Sequence, residues 1–355
     1  MGQAGASTIL FAACCASAAA SEPATSLRVP TFISSDMVLQ RGGATVWGWA
    51  APHAPVSVSV SLPHGQPLHS TRVVASASGE WSANVVQEVV ASSNVTIRDD
   101  KQNVILLTNV AFGDVFLCSG QSNMEYPMAN AFNGSAEREA SSYANLRMLD
   151  LTDRPWPVPT GRPNSSAADC PSKAPYEWAA SSPATISERL AAGATPKFGV
   201  KYPPAACWFA ARELLRRKPD VPVGIIGASK SGSAIECWMP EEAMLDGTPA
   251  AFGGNGTCGG AVPPPPPGTP SMRNTSVAAC PRGGLAKSGA YYRGMIAPLT
   301  PMRLAAVLWY QGEENDHAEN ACSGPIWYRC LFPAMISYWR RQFGAPDMPF
   351  IYVKK

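Results

Sequence analysis

The chain has 355 residues, 46% hydrophobic and 15% charged, with a formal net charge of +2. It is long enough for more than one core, and its near-neutral balance excludes an electrostatic case for binding nucleic acid or an anionic membrane surface. No apolar run approaches the ~20 residues needed to span a bilayer, while 34 prolines and 30 glycines predict long irregular loops.

Residues 1–22 read as a secretory signal peptide. Residues 8–15 form a short apolar centre, and residues 16–20, ASAAA, supply the small side chains that a signal peptidase requires. The segment lacks a basic residue near Met1, so a disordered Ala/Ser tail is the alternative. Five acceptor sequons begin at Asn94, Asn133, Asn164, Asn255 and Asn274, and agree with a secreted or lysosomal glycoprotein. Ten cysteines become eight once Cys14 and Cys15 leave with the signal, an even number suited to an oxidising compartment. Cys258 with Cys280 and Cys322 with Cys330 are candidate local pairs, with buried free thiols as the alternative.

Residues 28–108 have the pattern of an all-β unit. Thr45-Val46-Trp47-Gly48-Trp49 and Val56-Ser57-Val58-Ser59-Val60 alternate with period two, and Gly79-Glu80-Trp81 and Val95-Thr96-Ile97 continue the series. Turn residues at Gly42-Gly43, Pro52 to Pro55 and Pro63 to Gly65 separate them, which predicts a small β-sandwich. His53, His64 and His69 fall in turns or strand edges here; without a tight ligand spacing they read as solvated, not as a metal site.

From residue 109 to 355 apolar strands alternate with helices, the grammar of a parallel α/β sheet covered on both faces. Strands are predicted at 115–118, 221–226, 304–310 and 350–353. A helix is predicted at 205–218, ended by Pro219, and another at 326–343 that starts properly only near Pro333. Two intervals, 152–202 and 247–288, the second with a proline run at 263–267, read as surface insertions.

Three strand ends carry unusual polar clusters. Gly120-Gln121-Ser122-Asn123 follows the first strand and offers a hydroxyl between two amides. Ser229-Lys230-Ser231-Gly232-Ser233 follows the second, with small residues that let backbone N–H groups approach a ligand. Gln311-Gly312-Glu313-Glu314-Asn315-Asp316 follows the third. Open α/β sheets bind ligands at the carboxyl ends of their strands, and such groups can donate to a developing oxyanion.

The segment Gly120-Gln121-Ser122-Asn123-Met124-Glu125 resembles the nucleophile block of the sialate O-acetylesterase family, within the SGNH hydrolases. Asp36-Met37-Val38-Leu39-Gln40-Arg41 with Trp47-Gly48-Trp49 is similar to the family's N-terminal β signature. The second cluster with Trp238 resembles its glycine block, and Trp309-Tyr310-Gln311-Gly312-Glu313 its third block, in the family's order. The resemblance implies an SGNH-type α/β/α sandwich after a small β region, and a carbohydrate O-acetylesterase that needs no cofactor and no metal. Ser122 would be the nucleophile. The N–H groups of Ser122 and Gly232 would bind the oxyanion, and a side-chain amide would complete the hole, Gln311 first and Asn315 second. Ser231 stands where the family usually has the first of two glycines. Sialic acid esters are the implied substrates, with other acetylated sugars as the alternative; Arg293 and Arg303 are candidate anion partners or plain surface arginines.

A serine hydroxyl needs a base, normally an oriented histidine. In this family the acid and base come late, as an Asp-x-x-His block. No such block occurs up to Lys355, and of the four histidines only His317, beside Asp316, lies near a cluster. Adjacent residues on an extended segment point apart, so His317 is a weak substitute. The expectation is a truncated chain with an incomplete sheet, its Asp and His beyond Lys355. The alternative is a catalytically inactive carbohydrate-binding or regulatory form.

Overall fold

The computed structural model describes residues 26–152, 177–186, 203–240, 242–243, 289–316 and 324–354. The expected N-terminal signal, His317, the candidate pairs Cys258/Cys280 and Cys322/Cys330, the sequons at Asn164, Asn255 and Asn274 and the expected insertion at 247–288 lie wholly or partly outside them.

The β region contributes β1 (Val38–Gln40), β2 (Ala44–Trp49), β3 (Pro55–Ser61), β4 (Pro67–Val74), β5 (Glu80–Val85) and β6 (Val90–Asp99). Strand β3 shows the predicted alternation: Val56, Val58 and Val60 are buried while the intervening serines face outward. Strands β2 and β5 form a two-stranded antiparallel sheet, and β4, β3 and β6 pair antiparallel in that order. The two layers bury Val46, Trp81, Ala83 and Val85 between them.

Strand β7 (Val104–Gly120) joins everything together. Its first part pairs antiparallel with β6, and its later part pairs parallel with β1. Its last residues run as the middle strand of a parallel sheet. The expected boundary at residue 108 therefore falls inside one continuous strand, and the hydrophobic core likewise runs from Phe32 and Val58 through to Trp238 and Trp339. The N-terminal signature grips this strand directly. Gln40 accepts a hydrogen bond from Val115 N–H at 3.0 Å, and Arg41 clasps the Asp114 carboxylate at 2.8 and 3.2 Å.

The chain continues through one-turn helix α1 (Ser122–Glu125), α2 (Gly134–Glu139), β8 (Leu146–Asp150), β9 (Ala179–Ala180), α3 (Ala205–Arg217), β10 (Val223–Ser229), β11 (Ala306–Tyr310), α4 (Glu313–Asp316), α5 (Gly324–Gln342) and β12 (Phe350–Tyr352). The parallel sheet has the order β8-β10-β7-β11-β12, with β9 antiparallel outside β8. Every residue of β10 is buried, as expected of a strand covered on both faces. One face is covered by α3, which buries Cys207, Trp208, Ala211 and Leu215 at helical spacing. The other is covered by α5, through Leu331, Met335 and Trp339.

Two expectations change. Helix α5 begins at Gly324 and contains Pro333, so the proline does not mark its start. The missing N–H costs about 3 kcal/mol, and burial of an apolar face carrying Leu331, Met335 and Trp339, each worth roughly 1.5–3 kcal/mol, outweighs it. The stretch 177–186 is not a surface insertion: Trp178 is buried, its indole N–H donates to Phe32 O at 3.0 Å, and β9 extends the sheet. The strand predicted at 350–353 is present as β12; among the described residues it pairs only with β11 and exposes Ile351 and Tyr352, an open sheet edge in keeping with the incomplete sheet expected. No helix among the described residues is long and apolar enough to cross a membrane.

Candidate active site

The parallel register decides where the three polar clusters meet. Gly120 at the end of β7 stands opposite Ser229 of β10 on one side and Tyr310 of β11 on the other. Each strand releases its cluster at the same level. Gly120 has φ +143°, and a Cβ there would sit 2.1 Å from Tyr310 O. Only glycine allows β11 this close while the chain turns. Gln121 N–H then donates to Tyr310 O at 3.0 Å, prolonging the ladder by one residue.

Beyond that point the backbone coils into α1. Met124 and Glu125 N–H groups donate to Gln121 O at 2.9 and 2.8 Å. Met124 is buried against the face shared with α3, while Ser122 and Asn123 are exposed. The turn thus places the Ser122 hydroxyl on the surface at a sheet end. Among the described residues the backbone N–H of Ser122 has no hydrogen-bond partner, and the same holds for Gly232. Gly232 adopts φ +68° in an exposed turn with open space around it. That turn is tied back to the first cluster: Lys230 N–H donates to Gly120 O at 3.0 Å, and Ser231 N–H donates to the Glu125 carboxylate. Ser231 in place of a glycine is accommodated because the left-handed geometry belongs to Gly232 alone.

The amides expected to complete an oxyanion hole are arranged differently. Gln311 is buried, and its Nε2 faces three acceptors: Gln121 Oε1 at 3.0 Å, Ser233 O at 3.0 Å and Asn315 Oδ1 at 2.8 Å. Asn315 is also buried; its Nδ2 donates to Glu236 Oε2 at 2.9 Å, and its Oδ1 accepts Ile235 N–H at 2.9 Å. Both carboxamide donors are engaged beneath the surface that carries Ser122. The side-chain amide that reaches Ser122 Oγ is Gln121, with Nε2 at 3.5 Å. Its Oε1 also accepts Gly312 and Glu314 N–H groups at 3.3 and 3.1 Å. Sequence reading missed this residue as a positioning group, although it lies next to Ser122.

Further ties close the site. Asn123 Nδ2 donates to Glu313 Oε1 at 2.5 Å, and Tyr328 OH donates to Gln311 O at 3.0 Å. Burial pushes the Tyr328 hydroxyl up to about 12, so it stays a neutral donor. His53, His64 and His69 all lie in the β region on or beside β3 and β4, away from the strand ends. Arg293 and Arg303 are exposed. Among the described residues no three His, Cys, Asp or Glu side chains are grouped as metal ligands.

Sequence spacing also missed a disulfide between Cys118 in β7 and Cys207 in α3. The two cysteines are 89 residues apart, so only the α/β packing brings them together. Cys237 is a buried free thiol, pushed up to about 12 mainly by burial.

No family model matches the chain. Human sialate O-acetylesterase is 30% identical over 333 residues, covering 89% of this chain and 53% of that protein. The Pongo abelii sialate O-acetylesterase is 29% identical over 331 residues, with the same coverage. The chain spans about half the length of these curated relatives. Among solved structures, a carbohydrate acetylesterase from Xanthomonas citri superposes with a TM-score of 0.64 at 28% identity, covering 92% of this chain and 59% of that one. With Ser122 set at the end of the central strand between the two other clusters, the chain is similar to the sialate O-acetylesterases over about half of their length.

Proposed function

We propose that the chain carries the nucleophile and oxyanion site of a carbohydrate O-acetylesterase. The observation that supports it most is the pair of N–H groups, Ser122 and Gly232, that have no hydrogen-bond partner among the described residues, at the sheet end where the Ser122 hydroxyl is exposed. In this reading Ser122 Oγ attacks the acetyl carbonyl carbon, and the oxyanion accepts from those two N–H groups. Collapse expels the sugar oxygen, which takes up a proton to leave as the alcohol. Water then cleaves the acetyl-serine to acetate and restores the hydroxyl. Gln311 and Asn315 act in this proposal as positioning residues: they tie the third cluster to Gln121 and to the Ser233–Glu236 turn.

Ser122 must lose its proton to attack. The resemblance assigns that task to a histidine in an Asp-x-x-His block, and losing the base of a serine triad costs roughly 10⁴ to 10⁶ in rate. Acetylated sialic acids and other O-acetylated sugars are the proposed substrates, in keeping with what the relatives are called. A secreted or lysosomal location is proposed from the sequons and the Cys118–Cys207 disulfide, which suits an oxidising compartment.

The test is acetate release from 9-O-acetylated sialic acid and from an acetylated xylo-oligosaccharide, by the chain and by its Ser122→Ala variant. Saturable release that disappears in the variant supports the reading. Equal release by both removes Ser122 from the mechanism. Saturable binding of the acetylated sugar with no acetate released points instead to a non-catalytic carbohydrate-binding form.

A further inference from the structure

The turn that carries Ser122 is attached at both of its ends to the start of one helix. On the upstream side Cys118, near the end of β7, is bonded to Cys207 in the first turn of α3, and both are fully buried. On the downstream side Ala205 N–H donates to Tyr126 O at 2.7 Å and Met128 N–H to Pro203 O at 2.9 Å. These two bonds flank a bridge between Pro127 and Pro204. Between the attachments Met124 packs in the same buried cluster as Cys118, Cys207 and Trp208.

The attachments differ in kind. The downstream one consists of two backbone hydrogen bonds, which open and close with local fluctuations. The upstream one is covalent and fixes the first turn of α3 against β7. If α3 drifted, the Tyr126–Met128 rungs and the Met124 packing would drift with it. Ser122 lies on the span between them.

We infer that Cys118 and Cys207 are a positioning pair for Ser122, holding the turn from Ser122 to Met128 in one geometry through α3. The ordering of that turn can be read without any catalysis; only the kinetic part of the test rests on the proposed esterase activity. Failure of the two is therefore distinguishable.

The experiment is amide hydrogen exchange on the oxidised chain and on the double variant Cys118→Ala/Cys207→Ala. In the variant the amides of Met124, Glu125 and Met128 should exchange about tenfold faster or more, while those of the β3–β6 ladder stay within about twofold. A uniform acceleration over all protected amides, or none at the three positions, would make the disulfide a plain cross-link and overturn the inference. If the variant does not fold, the oxidised chain decides. There the three amides should share the slow class of the α3 interior, and exchange about a hundredfold faster than α3 would overturn it. With acetylated substrate, the variant should lower kcat and leave KM unchanged; intact kcat with a raised KM counts against it.

Discussion

Gly120→Ala is the sharpest probe of how the site is built. The added methyl would stand 2.1 Å from Tyr310 O, 2.7 Å from its carbonyl carbon and 3.0 Å from its nitrogen, all of it backbone. Ordinary contact begins near 3.4 Å, so β11 must retreat from β7 by about 1 Å. That retreat opens the Gln121 N–H to Tyr310 O bond, now 3.0 Å, in the ladder that delivers Ser122. A residue with a side chain at φ +143° adds about 1–3 kcal/mol of backbone strain, and a lost buried hydrogen bond adds about 1–3 kcal/mol more. The expected loss is roughly 3–5 kcal/mol. Gly232→Ala is the matched control. Its φ of +68° is also left-handed, but nothing lies within 4 Å of the added methyl, so its loss should be about 1–2 kcal/mol. Urea unfolding of both variants beside the wild type, with a common slope, gives the two losses. Equal losses, or less than about 1 kcal/mol for Gly120→Ala, would refute the argument from close strand approach.

Other substitutions and titrations test the neighbouring claims. Gln311→Leu removes the donor shared among Gln121 Oε1, Ser233 O and Asn315 Oδ1 and should cost about 1–3 kcal/mol. Gln311→Glu should cost more at neutral pH because it sets a carboxylate against those oxygens, and equal stability of the two variants in a urea titration would contradict the network. Glu213, hydrogen-bonded by Arg216 and Arg217, is held down at about 2 from 4.5. Since the folded-state value is the lower one, this contribution is present above about pH 4.5 and is lost as pH falls through about 2. Carboxyl NMR should find the low midpoint and see it rise in molar salt; an unshifted midpoint would discount the cluster. The Cys237 thiol, buried and pushed up to about 12, should resist iodoacetamide at pH 8 in the folded chain and react once urea unfolds it. Labelling at equal rates in both states would show that the thiol is not enclosed.

Much of the architecture was legible because it rests on local periodicity. The alternation in β3, the unbroken apolar run of β10 and the apolar stripe of α3 each report a burial pattern that repeats within a few residues. Boundaries were harder. Of strand β7 only residues 115–118 are read as a strand from sequence, because its environment changes along its length, from a half-exposed antiparallel edge to a buried parallel centre. Pro333 looked like a helix start because its local cost is visible in sequence, whereas the buried face that offsets it is not. Trp178 was hidden in a Pro- and Ser-rich stretch, although a tryptophan there was a signal that part of the stretch is core.

By itself the sequence determined the three polar clusters, their order and the candidacy of Ser122, because residue type and spacing carry that information directly. It also determined that they follow strands and so belong at a sheet's carboxyl end. Tertiary structure decided what the clusters do for one another. The register of β10 and β11 on β7 sets their heights, and the Gln121–Gln311–Asn315–Glu236 chain of hydrogen bonds directs two amides inward that sequence alone had aimed at substrate. The Cys118–Cys207 bond likewise follows from α3 packing on β7. Such contacts join residues far apart in the chain, and the direction of a side chain among competing partners is settled only when all of those partners are in place.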